Sequence, residues 1–244
     1  MQSQIAEELK LKYRPVALMF TDEKPADALE FKEGRWGCVV AMFTAASRGK
    51  TAVFSNDTCG CPGGRIGLGF TDRYDVIPGG IEHFLSTGRG EGYPEGEAYI
   101  KTPELAHEFV EELPRTCIPT KYVVVKPLDE VDAEKEKPEL IVFFCNPDQL
   151  SALVVLANYG RSGTDNVVVP FGAGCHTVCL IPYSKTKEQN PKAVIGVTDI
   201  TARPMVDPNI LSFTMPYAMF LEMEADVPGS FLEKKDWKKV RERI

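Results

Sequence analysis

The chain has 244 residues, of which 43% are hydrophobic and 26% charged. That composition supplies a substantial core and argues against extended disorder. A net charge of −7 argues against a nucleic-acid-binding surface, which needs a basic face.

Met1 to Leu11 reads as a polar amphipathic helix. It lacks the charged start and apolar run of a secretory signal, and no stretch approaches the roughly 20 apolar residues that span a bilayer. A cytoplasmic location is expected. Pro15 to Phe20 predicts a buried strand, and Thr21 to Gly37 a turn-rich connection. From Cys38 to about Arg48, apolar residues at Val39, Met42, Phe43 and Ala46 predict a helix that stops at Gly49. Thr51 to Ser55 predicts a strand that runs into a loop, Asn56 to Gly64, carrying Cys59-Gly60-Cys61-Pro62-Gly63-Gly64.

Ile81 to Thr87 predicts a short helix, and the glycines between Gly88 and Gly96 a surface loop. Pro103 to Leu113 predicts a helix with Thr102 as its cap and Pro103 in its first turn. Lys121 to Lys126 reads as a strand and Asp129 to Pro138 as a charged connector. Leu140 to Phe144 is a strand, Asp148 to Tyr159 a helix with Asp148 as candidate cap, and Asn166 to Pro170 a strand. Phe171 to Cys175 reads as a glycine-rich turn ending in a cysteine. The remainder predicts a strand at Ala193 to Val197, a segment around Thr214-Met215-Pro216-Tyr217, and an apolar helix near Tyr217 to Met223. A basic helix with a solvated charged face, Glu233 to Ile244, surrounds Trp237.

The expected fold is α/β, a mixed sheet with packed helices, with α+β the open alternative. Residues 41–59 and 153–175 share an order of helix, glycine turn, strand and glycine–cysteine loop. This reads as an internal duplication within one domain spanning 1–244, with halves at about 1–115 and 116–244. Such units are also common by chance, so both readings stand.

Seven cysteines in a chain with no visible signal favour metal or thiol chemistry over a disulfide framework. Thiolate is the metal-binding form, and soft thiolates suit zinc and iron–sulfur clusters. A Cys-x-Cys pair alone is a modest signal. Here Gly60, Gly63 and Gly64 let the backbone approach a bound group closely. A helix from Cys38 to Gly49 climbs roughly 18 Å, and the strand from Lys50 to Asn56 runs back about 20 Å. Packed antiparallel, the two return Cys59 to Cys38. The same reasoning returns Cys175 to the start of the second helix, and a pseudo-twofold relation would bring both loops to one site. The expected ligands are Cys38, Cys59, Cys61 and Cys175, enough for a [4Fe–4S] cluster.

Cys145 and Cys117 read as small buried hydrophobes, and Cys179 as core with ligation the alternative. His83 and His107 read as surface residues, and His176 as core or fallback ligand. No dinucleotide fingerprint, P-loop or Ser/His/Asp context is present.

Arg14-Pro15-Val16-Ala17, the Gly37-Cys38 helix, Cys61-Pro62-Gly63-Gly64 with Gly67-Leu68-Gly69, and Gly172-Ala173-Gly174-Cys175 together resemble the DUF169 family. Its members are uncharacterised proteins found largely in archaea and anaerobic bacteria. The resemblance covers nearly the whole chain and implies no particular activity; an anaerobic setting suits an oxygen-sensitive cluster. The functional expectation is an iron–sulfur protein in redox or electron transfer. The alternatives are a zinc- or thiol-dependent enzyme and a small-molecule binding protein with structural cysteines. A redox partner protein and a second copy of the chain are the partners left open; nucleic acid and membrane are not expected.

Overall fold

The computed structural model describes residues 1–74 and 77–244. In chain order the elements are α1 (Gln4–Glu8), β1 (Val16–Thr21), α2 (Val39–Ser47), β2 (Ala52–Ser55), α3 (Pro62–Gly67), α4 (Ile81–Leu85), α5 (Pro103–Glu112), β3 (Tyr122–Pro127), β4 (Leu140–Cys145), α6 (Pro147–Tyr159) and β5 (Val167–Val168). A π-helical segment, His176–Leu180, then runs into α7 (Ile181–Lys185), followed by β6 (Ala193–Gly196), β7 (Leu211–Pro216), α8 (Tyr217–Ala225) and α9 (Lys235–Arg241).

One mixed sheet organises these elements, in the order β2-β3-β1-β4-β7-β6-β5. All its pairings are antiparallel except β5 with β6. β4 stands at the centre of the sheet. Its six residues are all buried, and alternate side chains enter two different cores. Leu140, Val142 and Phe144 join the core formed with Val39, Val40 and Phe43 of α2. Ile141, Phe143 and Cys145 join the core formed with α1, α6 and α8. A sheet covered on both faces produces such a continuous apolar run. The α/β expectation therefore holds, with helices on both sides of the sheet. Among the described residues, no helix is long and apolar enough to cross a membrane.

Local chemistry sets several element ends. Thr102 Oγ1 accepts from the Leu105 N–H at 3.3 Å, and Pro103 opens α5. Gly49, at φ +97°, takes the left-handed turn after α2. At α6 the cap is Asn146 rather than Asp148. Asn146 Oδ1 accepts from the Gln149 N–H, and Gln149 Oε1 accepts from the Asn146 N–H, a capping box. The Gln149 amide also donates to the Leu9 carbonyl at 3.0 Å, tying α6 to α1.

Two sequence expectations need correction, and two segments gain a definite structure. The last three residues of the cysteine loop, Pro62 to Gly64, begin the six-residue helix α3, because Pro62 suits a first helical turn and Cys61 caps it. The turn at 171–175 leads straight into a helix, whose His176 and Thr177 N–H groups both donate to the Ala173 carbonyl. The segment around Thr214 is a full strand, β7, whose buried Ser212 and Thr214 blurred the apolar pattern. Only Val167–Val168 pair with β6, and Val169 is exposed. The last helix keeps its lysines in solvent but buries Trp237 against Phe231.

Candidate functional site

Above the face of the sheet covered by α2 lies a cavity of about 390 Å³. That is within the range of small-molecule sites. Three of the expected cysteines line it: Cys38, Cys61 and Cys175. Each is delivered by the start of a helix. Cys38 caps α2 and Cys61 caps α3. Cys175 lies immediately before the π-helical segment. Such segments interrupt regular helices frequently at functional positions.

Glycines make the convergence sterically feasible. A Cβ at Gly67 would stand 2.6 Å from Cys175 Sγ, and one at Gly174 would stand 2.6 Å from Val40 and 2.8 Å from Ala202. Without side chains there, α3 and the helix after Gly174 pack closely enough for Cys175 Sγ to donate to the Gly63 carbonyl at 3.3 Å.

Cys59 is placed differently. It is fully buried beneath α3 and does not line the cavity. Its sulfur would lie 3.1 Å from a Cβ on Gly64 and faces the Cys61 carbonyl at 3.8 Å. Arg65 Nε holds the Cys59 carbonyl at 2.6 Å. The four thiols nevertheless sense one another. Burial pushes Cys175 well above the ordinary thiol range, and the nearby Cys61, Asp199, Cys38 and Cys59 add to that push. Burial, then Cys61, pushes Cys59 up to about 11. Cys38 is raised by burial and pulled back by the backbone N–H groups of Ala41 and Val40 at the start of α2. The Gly64 N–H donates to Cys61 Sγ at 3.3 Å.

The other sulfurs stand apart. Cys145 and Cys179 are buried and pushed up to about 12 by burial alone. Cys117, expected in the core, is exposed; the prolines around it lie on the surface rather than packing it inward. His107 is exposed, as expected, and meets Glu82 at 3.3 Å. His176 is buried and lines the cavity, its Nε2 3.2 Å from Tyr74 Oη. Burial pushes its pKa down to about 4, so the ring is neutral near pH 7. Among the described residues, no three His, Cys, Asp or Glu side chains are arranged to hold a single metal ion. The thiols border a cavity instead of closing on a point.

Sequence reasoning missed the rest of the wall. Asp199 is only 4% exposed, and its Oδ1 has no hydrogen-bond partner, while Thr201 Oγ1 donates to Oδ2 at 2.9 Å. Burial raises the Asp199 pKa, and the Thr201 hydroxyl and then the backbone N–H groups of Asp199, Ala202 and Gly174 partly offset that. Glu97 is half-buried nearby and raised by burial and by Asp199. The remaining wall is mainly apolar and aromatic, with Tyr74, Phe84, Phe109 and Phe171 among it, and the exposed Trp36 at its edge.

The DUF169 family model, described as uncharacterised ArCR, matches residues 4–226. The chain belongs to the DUF169 family. The match covers the whole sheet and every cysteine named above. No curated protein and no solved structure matches this DUF169 chain.

Proposed function

We propose that this DUF169 protein is a redox protein that holds an iron–sulfur cluster, [4Fe–4S], at the wall of a small-molecule cavity. The observation that carries the reading is the grouping of Cys38, Cys61 and Cys175 on one cavity, with the Cys59 thiol close enough to raise the pKa of Cys175. The residues present fit such a group. Four soft sulfur donors match the ligand set of a cluster. Their mutual repulsion as thiolates is the kind of charge a bound cation relieves, and ligation would displace their protons.

Cys38, Cys59, Cys61 and Cys175 would hold the cluster, which supplies one-electron transfer when bound. The chain's own groups prepare the place. The N-terminus of α2 stabilises negative charge at Cys38. The Gly64 N–H does the same for Cys61, the kind of hydrogen bond that tunes a ligating sulfur. Arg65 fixes the carbonyl of Cys59 and places a positive charge beside its thiol. The apolar wall leaves room for an organic molecule beside the thiols.

The test is protein purified without oxygen and assayed for iron and acid-labile sulfide. About four of each per chain, with a broad visible absorption lost on Cys61→Ser, is expected. A colourless protein with neither, even after reconstitution, overturns the reading. Zinc without iron, lost on Cys61→Ser, replaces it with a zinc–thiolate site.

A further inference from the structure

We propose that the cavity selects a protonated small amine with an apolar or aromatic body, its cationic group held by Asp199 and Glu97. The inference deepens the reading of the cavity as a ligand site and stands whether or not a cluster is bound.

Charge and shape come first. Asp199 and Glu97 both line the cavity, and among the described residues neither lysine nor arginine does. Asp199 Oδ1 is buried and makes no hydrogen bond of full geometry, although the backbone N–H groups of Gly174 and Ala202 lie near the carboxylate, and such a position costs free energy until a well-placed donor reaches it. A carboxylate so placed favours a charged N–H donor over a neutral one. The aromatic wall adds a second preference of the same sign, because ring faces attract cations. Tyr74, Phe84, Tyr99, Phe109 and Phe171 supply those rings.

The backbone holds the two acids together. The Thr201 N–H donates to Tyr99 Oη at 3.0 Å, joining the segment that follows Glu97 to the one that follows Asp199. Both segments carry strain. Ala98, adjacent to Glu97, has φ +51°, and Val197, two residues before Asp199, has φ +60°. A β-branched residue rarely adopts that conformation, and such strain persists only where surrounding contacts enforce it. At Val197 they are the Thr177 hydroxyl, which accepts its N–H at 3.0 Å, and Arg203, which donates to its carbonyl at 3.3 Å. Two costly turns, each beside one acid of the same cavity, point to a site built for a ligand rather than to accidental burial.

The experiment is calorimetric titration of the full chain with three probes of one shape: tryptamine, tryptophol and indole-3-propionate. Tryptamine should bind at least about tenfold more tightly than tryptophol, and indole-3-propionate should be weakest. Glu97→Gln should erase most of that preference while tryptophol binding is retained, which shows the cavity still folded. Asp199→Asn should act in the same direction. Equal binding of the three probes, a preference for the carboxylate, or no binding of any at millimolar concentration overturns the inference. Iron and sulfide measured on the same preparation separate the two claims. Amine preference without iron leaves this inference standing and removes the cluster, and iron without amine preference does the reverse.

Discussion

Cys145 and Cys175 are both buried free thiols, yet they lie in different worlds. Cys145 ends β4 on the face closed by α1, α6 and α8, where its sulfur meets the Leu211 carbonyl at 3.8 Å. Burial alone lifts its pKa to about 12. Cys175 lies on the opposite face, where burial is joined by Cys61, Asp199, Cys38 and Cys59. Burial makes a thiol an inert packing atom. Burial among other acidic groups places Cys175 at the candidate site. The same contrast divides the molecule: one face of the sheet is spent on packing, and the other gives up part of its packing to a cavity.

The largest expected effect falls on the closed face. Phe143 is fully buried there against Phe220. Phe143→Ala should cost about 3–5 kcal/mol in a urea unfolding series, from lost burial and a residual void. Cys145→Ala on the same face should cost only about 1 kcal/mol. A larger loss from Cys145 would break the reading of it as simple filler.

Gly174→Ala probes the open face. The new Cβ would meet Val40 and Ala202, short side chains on packed elements that cannot swing aside. Overpacking of this kind should cost about 1–3 kcal/mol and move Cys175 away from α3. Thermal unfolding reads the first effect, and slower metal uptake relative to wild type reads the second. Unchanged stability together with unchanged uptake would show that the close approach is not needed.

The smallest effect sharpens the account of the closed face. Glu224 accepts from Ser3 Oγ and from the Gln4 N–H, and burial raises its pKa above the ordinary 4.5. The folded state then holds this proton more tightly than the unfolded chain does. Stability contributed below 4.5 is lost as the pH rises through the folded value. Glu224→Gln should flatten that fall in a pH series of urea midpoints. An unchanged slope would assign it to another group.

Much of this division was legible in the sequence. The strands and long helices declared themselves through period and caps, as at Thr102 and Leu140–Phe144. Cys59 and Cys61 stood out by their glycine-rich loop motif, and Cys38 by counting helix rise against the strand's return to Cys59. Cys175 reaches them by another route. The second helix, α6, packs on the far side of the sheet, and Cys175 meets the others because Gly67 lets its helix lie against α3. That depends on a side chain being absent, which a pattern of apolar residues does not encode. Asp199 and Glu97 carried no motif; each is a lone acid in a loop, and only the fold shows that one is buried and both face one cavity. The nearest signal was position, since Asp199 follows a strand end much as Cys59 follows β2. The sequence reading put the cap of α6 at Asp148, and the reciprocal bond with Gln149 places it at Asn146.

The central claim is that clustering, not burial, sets the function of these thiols. The most direct measurement is the iron content per chain of anaerobically reconstituted wild type, Cys175→Ser and Cys145→Ser proteins, prepared side by side. Iron bound by wild type and Cys145→Ser, and lost from a still-folded Cys175→Ser, is the predicted result. Equal iron in all three, or none in wild type, would contradict it.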